Sequence, residues 1–437
     1  MPPLPQSTSL GFAKKAFVSI HLVFSLAAAF KSIVAMSSAN GDGKWPIHNP
    51  KMKYNDFGNT GWKVSDVCLG TMTWGSFNTE EETFAQLDEG VKLGVNIIDT
   101  AEMYPVPVRA EWITRTEELV GKWIETRVKE GKLDRSRLYI ATKVAGNAKM
   151  FAARGGPFAK LDQLRSDPPK KDGEERPIET TPEQMMDACL ASLRRLKCEY
   201  IDLYQIHWPA RYCPAFGKRR YRTADERPED APTQEHIESQ VMGIKALFDK
   251  GLIKAWGLSN ESSLGVSLFC NACDKLGVPR PASIQNDFSL MFRCFEEELA
   301  ETCRYYNVAG FPYGPLAGGT LSGKYTNEKY KDKDPKAFAK RRHNFDPKFQ
   351  ARYHCDGAKE ATTKYVEIAE KAGLTPTQLA LAWCRSCEFN HSTIMGSTSV
   401  EQLKECISAF TDVTLSEETM AEIDKVHKEM RNPMVTD

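Results

Sequence analysis

The chain has 437 residues, 41% hydrophobic and 27% charged, which suits one large α/β domain or two ordinary ones and argues against a disordered chain. Lys plus Arg and Asp plus Glu both number 58, so no global charge draws the molecule to nucleic acid or to an anionic membrane. The twelve cysteines lack the dense, even spacing of a disulfide scaffold, and free thiols in a reducing compartment are expected.

Residues 1–50 read as a leader, followed by one domain over 51–437. Lys14 and Lys15 precede an apolar run from Ala16 to Phe30 that closes on Ala27-Ala28-Ala29, the regions of a signal or targeting peptide. The run is too short for stable membrane insertion. The expected location is cytoplasmic, or an organelle such as a plastid if the leader is a targeting peptide.

Met52 to Phe57 and Trp62 to Val64 flank Gly58-Asn59-Thr60-Gly61, a hairpin outside the main sheet. Strand and helix patterns then alternate. Val67-Cys68-Leu69 is the first strand, followed by a loop holding Thr71, Met72 and Trp74, and a helix opened by Asn78 or Thr79 with Glu81 and Glu82 in its first turn. Gly94 to Asp99 is a short apolar run with a polar end, the pattern of a strand buried on both faces. It delivers Asp99 and, five residues on, Tyr104. A helix over Glu117 to Lys129 leads to Leu138–Thr142, with Lys143 expected just past the strand's end.

Residues 146–180 form a polar insertion, and Thr181-Pro182 starts a helix to Leu196. Ile201 to Ile206 is the fourth strand and carries His207-Trp208. A second polar insertion spans Ala210 to Pro232 and precedes a helix to Lys250. The remaining strands are Ala255–Leu258 with Ser259 and Asn260, Ala282–Ile284 with Gln285, Val308–Phe311 with Tyr313, and Ser392–Ile394 with Gly396, Ser397 and Thr398. Eight βα units with polar residues at every strand's C-terminal end are the pattern of a (β/α)8 TIM barrel, whose chemistry sits at that end.

Cys270/Cys273 and Cys384/Cys387 have redox or metal spacing but lie more than a hundred residues apart in helical segments, so structural thiols are expected and no metal. The basic runs Lys218-Arg219-Arg220 and Lys340-Arg341-Arg342-His343 fall in polar insertions and read as solvated loops before binding patches, with the alternative that a bound anionic cofactor uses a few of these residues.

The strand ends together present Asp99, Tyr104, Lys143 and His207, a proton-transfer set and not a metal site, since His207 lacks a second ligand at metal spacing. The same four residue types in this order make the chain resemble the aldo-keto reductases. Leu193–Leu196 through Asp202 to Pro209, Gly257–Asn260, Tyr313–Lys324 and Gly396–Glu405 match as well. Phe216-Gly217-Lys218, Ala351-Arg352-Tyr353 and Leu374-Thr375-Pro376 are most similar to the Tas-type branch.

The resemblance implies NADPH/NADP+ as cofactor and a small-molecule carbonyl as substrate. Tyr104 would be the proton donor, Lys143 the cation that stabilises the phenolate, Asp99 the partner of that lysine, and His207 the group that orients the carbonyl. Trp74, Tyr104, His207 and Trp208 would form the substrate wall. Ser259, Asn260 and Gln285 would bind the nicotinamide amide, Tyr313 would stack on its ring, Thr71 and Met72 would lie near its ribose, and Asp99 would also be a cofactor-binding residue. Gly314, Leu316 and Gly318, with Lys324, would follow the pyrophosphate. Gly396, Ser397 and Thr398 would hold the 2′-phosphate at a helix start near Glu401, with Gln402 and Glu405 on the adenosine. The family often has serine where this chain has Gly314, and asparagine where it has Cys406. The alternative function is that of an NADP-binding regulatory subunit resembling potassium-channel β subunits. Oligomeric state has no signal in the sequence.

Overall fold

The computed structural model of the protein describes residues 43–146, 157–166, 178–225, 233–339, 341–345 and 350–437. Strands β1 (Tyr54–Asp56) and β2 (Lys63–Ser65) form an antiparallel hairpin. The other eight, β3 (Val67–Gly70), β4 (Ile97–Asp99), β5 (Tyr139–Val144), β6 (Ile201–Ile206), β7 (Ile253–Ser259), β8 (Ser283–Gln285), β9 (Ala309–Gly310) and β10 (Thr393–Met395), make one parallel sheet in the order β10-β3-β4-β5-β6-β7-β8-β9. Parallel bridges Gly310–Asn390 and Tyr313–Ile394 bring the last strand back to β9 and close a (β/α)8 barrel.

Side chains alternate across this sheet, and two hydrophobic layers result. Cys68, Ile97, Ala141, Leu203, Ala255 and Ile394 fill the barrel's interior. Phe57 and Val64 of the hairpin join them, with Phe57 edge-on to Phe311 at 5.3 Å between ring centroids, so the hairpin plugs the N-terminal end. Leu69, Ile98, Ile140, Tyr204, Trp256 and Ile284 face outward into the helices. The expected helix starts hold. Thr79 caps Glu80–Lys92 in a capping box with Glu82, and Thr181 caps Pro182–Leu196 with proline in its first turn.

The first insertion holds a core element that the sequence reading left out. Helix Pro157–Arg165 buries Leu161 and Arg165 against the barrel rim, while 147–156 and 167–177 lie outside the described residues. Packing also begins before Lys51. Residues 1–42 of the expected leader lie outside the described residues, but Trp45 stacks on Trp123 with 6.4 Å between centroids, its N–H donates to the Lys132 carbonyl at 2.9 Å, and Ile47 is buried. All twelve cysteines are free thiols, with Cys270, Cys273 and Cys384 buried in helix–sheet packing. No helix among the described residues is long and apolar enough to cross a membrane.

Candidate active site

Strand parity builds the site. If Ile97 points inward, so does Asp99; Ala141 likewise implies Lys143, Leu203 implies Gln205 and His207, and Ala255 implies Gly257 and Ser259. Register then sets these residues side by side, since Lys143 pairs with Gln205, Gln205 with Gly257, and Ser259 with Gln285. Lys143 lies inside β5 and not past its end, because that strand runs to Val144.

Lys143, 1% exposed, places its Nζ 2.6 Å from Asp99 Oδ2, 2.8 Å from the Thr100 carbonyl and 3.5 Å from the Tyr104 hydroxyl. Asp99 Oδ1 accepts from Gln285 Nε2 at 2.6 Å and from Gln205 Nε2 at 3.3 Å. Both oxygens of the carboxylate are thereby hydrogen-bonded, which is what a buried anion requires. Burial works against the Lys143 ammonium, but Asp99 and Tyr104 outweigh it and hold its pKa above the ordinary lysine value. Burial also raises the Tyr104 phenol; Lys143 pulls it back, Asp99 pushes it further up, and the net direction is upward. The phenol is therefore protonated at neutral pH.

The His207 ring lies edge-on to Tyr104 at 5.8 Å between centroids and stacks on Trp208 at 3.7 Å. Burial and then Lys143 push its pKa well below 6.5, so the imidazole is neutral, and its Nδ1 has no hydrogen-bond partner among the described residues. A neutral imidazole beside a buried phenol is able to donate to or accept from a polar ligand atom without adding charge.

These groups stand at one end of a cleft of about 1020 Å³. Thr71, Met72, Ser259, Asn260, Gln285, Tyr313, Gly314, Leu316, Gly318, Lys324, Gly396, Ser397, Thr398, Gln402 and Glu405 all line it. Asn260 occupies a left-handed backbone position; its amide donates to the His207 carbonyl at 2.9 Å and accepts from Tyr313 at 2.7 Å. Thr398 donates N–H and O–H to Gln402 Oε1, both at 3.0 Å, just before helix Val400–Thr411. The Ser397 hydroxyl turns away to Gln86, and Glu405 accepts from Thr375. Gly314 has a local reason: a Cβ there would lie 2.7 Å from Asp287 Oδ1 and 3.1 Å from the Tyr353 hydroxyl, which with Arg352 form a buried network at the cleft wall.

Two expectations change. Trp74 is not on the substrate wall; it is a core residue, 1% exposed, with its indole N–H donated to the Ser397 carbonyl at 3.2 Å. Arg341 and Arg342 of the second basic run are not on a solvated loop either. Arg341 and Arg342 line the cleft opposite Lys324, and Arg341 Nη1 lies 3.4 Å from Thr398 Oγ1 while its fork is held by Asp332. Their spacing carried no sign of this, because a basic triplet in a polar loop looks the same whether it faces water or a cleft. Lys218, Arg219 and Arg220 are exposed, as expected of a loop.

Comparison with known proteins gives the chain's family. The family model described as Aldo/keto reductase family matches residues 66–428. The chain is 37% identical over 380 residues to Protein tas of Escherichia coli (strain K12), an alignment covering 86% of this chain and 98% of the relative. It is 31% identical to an Aldo-keto reductase of Babesia bovis, covering 68% of this chain and 99% of the relative. It is also 26% identical to a Probable voltage-gated potassium channel subunit beta of Arabidopsis thaliana, covering 86% and 96%. The chain therefore belongs to the aldo/keto reductase family of oxidoreductases, in its Tas-type branch.

Proposed function

We propose that the protein is an NADPH-dependent reductase of aldehydes or ketones in which Tyr104 is the general acid. The observation that carries this is Lys143 Nζ, fixed by Asp99 at 2.6 Å and lying 3.5 Å from the Tyr104 hydroxyl. When bound, the reduced dinucleotide supplies a hydride to a carbonyl carbon. The chain's own residues handle the oxygen. Tyr104 gives its proton to the oxygen as negative charge develops there, and Lys143 stabilises the phenolate that remains. Asp99 keeps the ammonium charged and aimed. Neutral His207 orients the carbonyl oxygen, while Met72, Tyr104, His207 and Trp208 bound the space where the substrate would sit.

The residues of the cleft fit an extended dinucleotide. Gly314, Gly318 and Gly319 have positive φ, and a Cβ on Gly319 would lie 2.7 Å from Lys324 Nζ, so the ammonium lies close over bare backbone. Lys324 has no carboxylate partner among the described residues, and burial with Arg341 and Arg342 nearby lowers its pKa to about 8. A cationic group in that state is suited to an anion. Lys324 and the glycines would hold the pyrophosphate. Thr398, Arg341 and the start of helix Val400–Thr411 would hold the 2′-phosphate, favouring NADPH over NADH. Ser259, Asn260 and Gln285 would hold the nicotinamide amide, and Gln402 and Glu405 the adenosine.

Similarity to the Arabidopsis channel subunit supports a second reading, an NADP-binding regulatory partner. A screen of aldehydes, diketones and quinones with purified protein, followed by NADPH absorbance, separates the two. Oxidation of NADPH by at least one carbonyl class supports the enzyme; tight NADPH binding with no oxidation across the panel supports the regulatory subunit.

A further inference from the structure

Between Asp99 and Tyr104 lies one charged residue that the proposed chemistry leaves unused. Glu102 is fully buried. A buried carboxylate is costly unless it is paired and hydrogen-bonded. Its partner comes from the first insertion: Arg165, at the end of helix Pro157–Arg165, is equally buried and grips both carboxylate oxygens, Nη2 on Oε1 and Nε on Oε2 at 3.1 Å. Arg165 also donates to Gln184 Oε1 at 3.2 Å and to the Ala145 carbonyl at 3.3 Å.

Glu102 joins two stretches of chain. Its Oε1 accepts the N–H of Ala145, and its own N–H donates to the Lys143 carbonyl at 3.3 Å. The turn that leaves β4 and bears Tyr104 is thus laced to the end of β5, which bears Lys143.

We propose that Glu102 and Arg165 are positioning residues: the pair locks the Tyr104 turn to the end of β5 and so sets how closely the phenol meets the Lys143 ammonium. The inference rests on the reductase reading of the site. Neither residue touches the phenol. The groups that face Tyr104 are Lys143, Asp99 and His207, with Tyr313 across the mouth, and the pair acts on them through the backbone. The insertion helix, outside the barrel proper, thereby becomes part of the catalytic apparatus.

The test uses the full chain carrying Arg165→Met, Arg165→Lys or the double change Glu102→Gln with Arg165→Met. A neutral pair is easier to bury than a lone carboxylate, so the double variant keeps the test open if Arg165→Met fails to fold. Three quantities are read: NADPH-binding sites by fluorescence titration, kcat per binding site, and the Tyr104 phenol titration as phenolate absorbance in difference against Tyr104→Phe in the same background. In the Met variants kcat should fall about ten- to a hundredfold with NADPH affinity unchanged, because small misplacements of reacting groups cost that much. The phenol should titrate at higher pH as the ammonium recedes, and Arg165→Lys should restore part of both. Wild-type kcat and wild-type phenol titration in the Met variants would overturn the proposal. The phenol titration needs no turnover, so a wild-type protein that reduces nothing defeats the reductase reading while the positioning role is still judged.

Discussion

The two ends of the cleft handle charge in opposite ways. At the proton end, Lys143 faces Asp99 at 2.6 Å, the two remaining donors to that carboxylate are neutral amides, and His207 is held uncharged. At the end proposed for the phosphates, Lys324, Arg341 and Arg342 line the same stretch of cleft, Asp332 is paired with Arg341, and Lys324 is driven down to about 8. A balanced set is suited to charge that appears only during a reaction, while an unbalanced one is suited to charge that a ligand brings. The first should therefore govern rate and the second affinity.

Tyr104→Phe is the strongest way to break that division. Turnover should fall on the order of a hundredfold or more, the contribution of a general acid, with NADPH binding retained in a fluorescence titration. Unchanged turnover would remove Tyr104 from its role. Lys143→Met should follow with a loss of about a hundredfold. Because the lysine pulls the phenol's pKa down, its removal should move the alkaline limb of the pH–rate profile upward; an unaltered profile would mean that the ammonium does not tune the phenol.

At the other end the effects should be smaller and should spare kcat. Arg341→Ala should weaken NADPH by about tenfold and NADH hardly at all, the scale of one charge-assisted contact. Equal losses for both would place the 2′-phosphate elsewhere. Lys324 gives the mildest effect, with a definite sign. Its pKa in the free protein is about 8, so its ammonium is mostly present at pH 7 and mostly lost by pH 8.5, and NADPH affinity should fall about fourfold over that interval. In Lys324→Gln the fall should vanish.

The same contrast explains what the sequence disclosed. Asp99, Lys143 and His207 sit at the ends of short apolar runs, and a period of two carries the inward parity of Ile97 and Ala141 straight to Asp99 and Lys143, so the barrel and the gathering of these side chains at one rim were legible. Arg341 and Arg342 lie in an insertion with no periodicity, where nothing local tells a solvated triplet from one folded over a cleft. Glu102 and Arg165 are 63 residues apart, and only the placement of an unforeseen helix makes them a pair. Trp74 failed for the opposite reason: a tryptophan near a strand end fits the core as well as the mouth, and here the indole N–H found the Ser397 carbonyl.

The most direct test of the central claim is to supply NADPH deuterated at the transferable nicotinamide position together with a carbonyl substrate and to analyse the product by mass spectrometry. A reductase of the kind proposed yields an alcohol with one deuterium on the former carbonyl carbon. Bound, unoxidised NADPH, or an alcohol free of deuterium, would contradict the account.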